Sequence, residues 1–192
     1  MSLAIPCAAT PWGSWPAFVT APVRGAILAI KALERGVART SAGILLFRRA
    51  GDGREVLIGH MGGPFWARKD DGGWSIPKGE YEPGEDAFAV ALREFEEELG
   101  TPVPAEDFVS LGELRTTSSK VLTVWAAHGD LDATACVSNT FELEWPPRSG
   151  RLQTFPEIDR AAWFPVEAAR AKLVKGQVGF LYRLEEALSR RA

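Results

Sequence analysis

Eight carboxylates crowd the stretch Gly79 to Gly100, GEYEPGEDAFAVALREFEEELG, against a single basic residue, Arg93. Three of them, Glu94, Glu97 and Glu98, stand at i, i+3 and i+4. On a helix this spacing lines their side chains along one strip. Like charges so placed repel by roughly 0.2–0.5 kcal/mol per exposed pair, and by more where water is excluded. A divalent cation reverses the sign of that interaction. Hard oxygen donors suit Mg²⁺ or Mn²⁺, whereas zinc prefers His and Cys. The competing reading is a solvated acidic helix face, and spacing alone does not separate the two.

The elements that must hold these acids are legible around them. Gly79, Pro83 and Gly84 give the first half of the stretch the character of a sharply turning loop. From about Glu85 to Leu99 the residues Phe88, Ala91, Leu92, Phe95 and Leu99 recur at three- and four-residue steps, which predicts a helix with one apolar face. Gly100 and Pro102 end it. Upstream, Ser41–Arg48 and Glu55–Gly59 read as a hairpin across Asp52-Gly53. The following segment, His60 to Gly73, reads as a long loop of the kind that often carries function. In it Trp66, beside Phe65, is suited to stack on a base, and Arg68, beside Lys69, to meet a phosphate. A Trp66 that merely plugs the core edge is the alternative.

Gly79, Glu85, Arg93-Glu94, the apolar Phe95, Glu97-Glu98 and Gly100 fall in a register that resembles the signature box of the Nudix hydrolases. Thr101 departs from it, standing where that family usually has an aliphatic residue. The flanking string WSIPKGEYEPGE resembles the branch that cleaves dinucleoside polyphosphates and diphosphoinositol polyphosphates. The longer KDDGGWSIPKGE is similar to bacterial members described only as predicted nucleoside-triphosphate pyrophosphohydrolases. The resemblance implies that Glu94, Glu97, Glu98 and the Gly79 carbonyl bind the metal, and that Arg93 and Glu85 hold the box in shape. It implies catalysis in which water attacks phosphorus in a diphosphate linkage. Lys78, at the mouth of the box, would hold a substrate phosphate. The general base is expected in the box or at a distal acid: Glu142, Glu144 or Glu157. The substrate class implied is a nucleoside diphosphate linked to another group, a nucleoside triphosphate or dinucleoside polyphosphate foremost. A diphosphoinositol or sugar nucleotide, or a non-catalytic nucleotide-sensing module, are the rival readings.

The chain of 192 residues is long enough for one domain with a real core. A net charge of −3 argues against binding a nucleic acid polymer. Two cysteines, Cys7 and Cys136, exclude a disulfide scaffold and fit a reducing cytoplasm. His60 and His128 read as surface or packing residues. No apolar run reaches the length of a membrane span. Residues 1–39, broken by Pro6, Pro11, Pro16 and Pro22 and including a helix-like segment around Ile27 to Leu33, read as an arm packing on the domain or on the second subunit of a homodimer, or as a disordered tail, with upstream sequence from a misplaced start codon as the third reading. Residues 40–192 read as the hydrolase domain. Phe108–Arg115 and Lys120–His128 read as strands, the second nearly all apolar and so central. Val137–Trp145 reads as an edge strand bearing Glu142 and Glu144. Ala161–Phe164 reads as a strand, and two helices follow, Pro165 to about Val174 and Val178–Arg190. Strand and helix order, with the resemblance, predict an α/β/α sandwich around a mixed sheet.

Overall fold

The computed structural model describes residues 38–191. The proline-rich segment and the helix-like run before Gly36 lie outside the described residues, as does Cys7.

The strand β1 (Arg39–Ala50) is the spine of the molecule. Its alternating side chains feed two cores: Leu45 and Phe47 go to one, Ala42, Ile44 and Leu46 to the other. It pairs antiparallel with β2 (Gly53–Met61) and parallel with β6 (Lys120–His128). β5 (Phe108–Thr117) then pairs with β6, and β3 (Trp74–Ser75) with β2. β4 (Lys78–Tyr81) adds to the start of β1 and β9 (Ile158–Pro165) to β2, making one mixed seven-stranded sheet. The central place expected for the apolar run in β6 holds, since β6 lies between β1 and β5.

The two faces are covered as the pattern predicts. Helix α1 (Ala87–Leu99) buries Val90, Ala91, Phe95 and Leu99 against Ala42, Ile44 and Leu46. The opposite face is closed by α2 (Val166–Lys172) and α3 (Gly179–Ser189), whose Phe180, Leu181 and Leu184 are fully buried. The result is an α/β sandwich with a mixed sheet at its centre.

Two local expectations are corrected. Gly79 to Tyr81, read as loop, is strand, because its backbone pairs with Thr40–Ala42 at the open edge of β1. The segment 137–145 does not join the main sheet. Only β7 (Thr140–Glu144) is extended there, and it pairs with β8 (Leu152–Pro156) in a separate ribbon. Among the described residues no helix is long and apolar enough to cross a membrane.

Candidate active site

Helix α1 is held at both ends by its own sequence. The Asp86 carboxylate accepts the Phe88 N–H at 2.9 Å, and Gly100 closes the helix at φ +74, its N–H donating to the Glu96 carbonyl at 2.7 Å. With the apolar face seated on β1, the rotation of the helix is set, and so are the directions of its acids. Glu94 and Glu98 border a cleft of about 420 Å³, and Glu97 does not.

Glu98 is 8% exposed, and its carboxylate accepts the backbone N–H of Lys78 at 3.0 Å. Burial pushes its pKa up to about 7, against the pull of the Lys78 charge and N–H; the negative charges of Glu157 and Glu94 push it up further. Glu94 lies directly on Gly79: a methyl group at that residue would overlap its carboxylate. Gly79 is therefore a contact surface for Glu94, and β4 presents it there by pairing with Ala42. The three acids do not converge. Arg93 donates to Glu94 at 3.0 Å and lies 3.7 Å from Glu97 and 3.8 Å from Glu85, so Glu97 is turned toward the guanidinium at the solvent edge. The Arg93–Glu85 pair is within ion-pair distance but longer than a hydrogen bond. Glu85 instead accepts the Glu82 N–H at 2.6 Å and tightens the loop before the helix.

The distal acids separate clearly. Glu157 lines the cleft beside Lys78, Glu94 and Glu98. Glu142 is exposed on β7 away from it, and Glu144 accepts the Gly150 N–H at 2.8 Å. The position of Glu157 follows from the end of α1. The Glu97 and Leu99 carbonyls, left without intrahelical partners, accept the N–H groups of Asn139 and Val137. The Asn139 carbonyl then accepts the Glu157 N–H at 2.9 Å, and the Glu157 carbonyl accepts from Gly62 at 2.8 Å.

Of the residues expected to meet substrate, Lys78 and Trp66 line the cleft, whereas Arg68 is exposed outside it. Phe141 also lines the cleft and packs near Gly63 of the loop that carries Trp66, and the Lys69 ammonium sits 4.7 Å from the Trp66 ring centre. The loop carrying Trp66 is tied down at both ends. His60, fully buried, places Nδ1 2.8 Å from Asp159 and Nε2 2.6 Å from the Lys69 carbonyl. Lys172 bridges Asp70 and Asp71 from α2. Sequence reasoning also missed Gln177. Its buried amide accepts the Ile76 N–H at 2.8 Å and donates to Ser75 at 3.0 Å, forming part of the cleft floor.

Among the described residues no three His, Cys, Asp or Glu side chains stand close enough together to hold a metal ion as they are. The donor chemistry nevertheless fits a hard divalent cation. Two cleft carboxylates and the Gly79 carbonyl are all oxygen donors, and the buried Glu98, facing two further acids, is a concentration of negative charge that a cation would relieve.

The family model for the NUDIX domain matches residues 37–184. No curated protein sequence matches the chain. Among solved structures, a C. elegans Ap4A hydrolase binary complex is 20% identical, with TM-score 0.52, covering 79% of this chain and 98% of that one. The NUDIX domain of Shewanella oneidensis NrtR complexed with ADP ribose is 17% identical, with TM-score 0.54, covering 79% and 89%. The MutT protein from Methanosarcina mazei Go1 is 18% identical, with TM-score 0.52, covering 79% and 95%. At these identities the likeness is one of fold.

Proposed function

The chain belongs to the Nudix family of pyrophosphohydrolases, and on that premise we propose that it cleaves the diphosphate of a nucleoside diphosphate linked to a further group, a nucleoside triphosphate or dinucleoside polyphosphate foremost. The observation that carries the reading is the cleft itself. It brings Glu94, Glu98, Gly79, Lys78 and Glu157 to one cleft that Trp66 and Phe141 also line.

Glu94, Glu98 and the Gly79 carbonyl would hold Mg²⁺ or Mn²⁺, with Glu97 joining once released from Arg93. When bound, the ion would neutralise phosphate oxygens and lower the pKa of the attacking water. Lys78 holds a phosphate oxygen of the substrate through its ammonium. Glu157 accepts the proton of the water whose oxygen attacks phosphorus, as the P–O bond to the leaving phosphate breaks. Trp66 and Phe141, both lining the cleft, offer a base aromatic faces to stack on. Arg93 is a positioning residue that restrains the acids of α1.

The test is a panel of nucleoside triphosphates, dinucleoside polyphosphates, sugar nucleotides and a diphosphoinositol with Mg²⁺ or Mn²⁺, reading which diphosphate bond breaks. Turnover of the first two classes supports the reading. Preference for a sugar nucleotide or diphosphoinositol moves the substrate class, and binding without cleavage of any member overturns the assignment.

A further inference from the structure

A second cleft, of about 460 Å³, opens at the far end of β1. Ser41 borders the acid cleft and Arg49 the second one. Eight residues of strand separate them, roughly 26 Å at 3.3 Å per residue. β6 repeats the division, with Leu122 at the first cleft and His128 at the second. The two are separate sites.

The chemistry of the second cleft is opposite to that of the first. Arg49, Arg54 and Arg191 rim it, and Asp107 is its one acid. Arg49 and Arg54 are direct cross-strand partners in the β1–β2 hairpin, so two positive charges share one face, an arrangement that destabilises an antiparallel pair. The neighbouring pair shows the alternative: Arg48 faces Glu55 across the same ladder and also bonds Asp130. Elsewhere Arg39, Arg93, Arg160, Arg170 and Arg190 have carboxylate partners and Arg115 and Arg183 donate to backbone carbonyls, while the side chains of Arg68, Arg148 and Arg151 have neither among the described residues. Among the described residues no carboxylate lies within ion-pair distance of Arg49, Arg54 or Arg191. The floor beneath these charges is apolar, formed by Phe47, Val109 and Leu188.

We propose that this cleft binds a small organic phosphate, its phosphate groups on Arg49, Arg54 and Arg191 and its organic part over Phe47, Val109 and Leu188. Planar guanidinium groups pair with phosphate in a bidentate manner, and an anion here removes the repulsion of the hairpin pair. The volume suits one nucleotide-sized molecule. The site holds no acid able to carry hydrolysis beyond the lone Asp107, so its occupant is a ligand and not a substrate.

The experiment is calorimetric titration of the full chain with ADP and with inorganic pyrophosphate in EDTA, where the acid cleft lacks the cation it needs to accept phosphates. ADP is expected to bind wild type and Lys78→Gln alike, and pyrophosphate more weakly. Arg49→Gln/Arg54→Gln, and separately Arg191→Gln, should weaken ADP at least tenfold while hydrolysis by the acid cleft persists. ADP binding unchanged in both variants, or absent from wild type, overturns the proposal. Equal affinity for pyrophosphate overturns the role of the apolar floor. Sedimentation with phosphatidylserine vesicles, lost in the arginine variants but without ADP binding, would replace the small ligand with a lipid headgroup.

Discussion

Replacing Gly79 with Ala isolates the geometry of the acid cleft from the stability of the fold. The backbone at Gly79 is ordinary strand, paired with Ala42, so alanine brings no conformational strain there. The added methyl would overlap the Glu94 carboxylate. Restoring a carbon contact of about 3.5 Å requires that carboxylate to retreat by roughly 1.5 Å. A misplacement of about 1 Å at a reacting group costs on the order of 10²-fold in rate. Because the obstructing atoms are the free end of a side chain, the fold absorbs the change, and the expected loss of stability is under about 1 kcal/mol. Gly43→Ala is the contrast: its methyl would strike the Pro77 carbonyl and the Lys78 Cβ, which cannot swing away, so it should lower the melting temperature. The assay is kcat with saturating Mg²⁺ alongside thermal melting for both variants. A Gly79→Ala enzyme with undiminished kcat, or one that unfolds before it loses activity, refutes the argument that Glu94 works from its seat on Gly79.

Further outcomes follow from the same site. Glu98, with its pKa raised to about 7 in the folded protein, binds a proton between about pH 4.5 and 7 that the unfolded chain releases. Its contribution of about 3 kcal/mol is present in full below that window and fades as pH rises through 7. In EDTA the melting temperature should therefore fall from pH 5.5 to 8 in wild type and much less in Glu98→Gln, and equal slopes would refute burial as the cause. Glu98→Gln should also lower kcat by about 10²–10⁴-fold with folding intact. Glu157→Gln should cut kcat about 10²–10⁴-fold, the range for a lost general base, while Glu142→Gln leaves it unchanged; the reverse order in a single-turnover assay would reassign the base. Removal of the residues before Thr40 should leave hydrolysis in place, and a folded but inactive truncation would show that the arm takes part.

How much of this was legible from residues alone depended on how local the cause was. The apolar face and the stop of α1 arise within a few residues of one another, and the helix appears where they predict it. The spacing of Glu94, Glu97 and Glu98 placed them on one strip, but it could not show that Glu97 stays outside the cleft, beside Arg93. Glu157 could not be told from Glu142 and Glu144, because its place depends on the end of α1 reaching segment 137–139, forty residues on in the chain. His60, expected as a surface or packing residue, is a fully buried clamp whose partner Asp159 is 99 residues away. Gln177 and Ser75 are 102 apart. Such pairings leave no periodic trace in sequence. Gly79–Tyr81 misled for the opposite reason: its residue types favour a turn, and an open strand edge overrode them.

The nine-residue parallel ladder between β1 and β6 joins segments about 80 positions apart. Contacts of that range form late, after the entropy of closing a long loop has been met. A fragment ending soon after Gly100 would contain the whole motif yet lack β6, Glu157 and both closing helices. On refolding, catalytic turnover should thus return as one late event, in step with burial of Trp125 on β6, however early α1 coils.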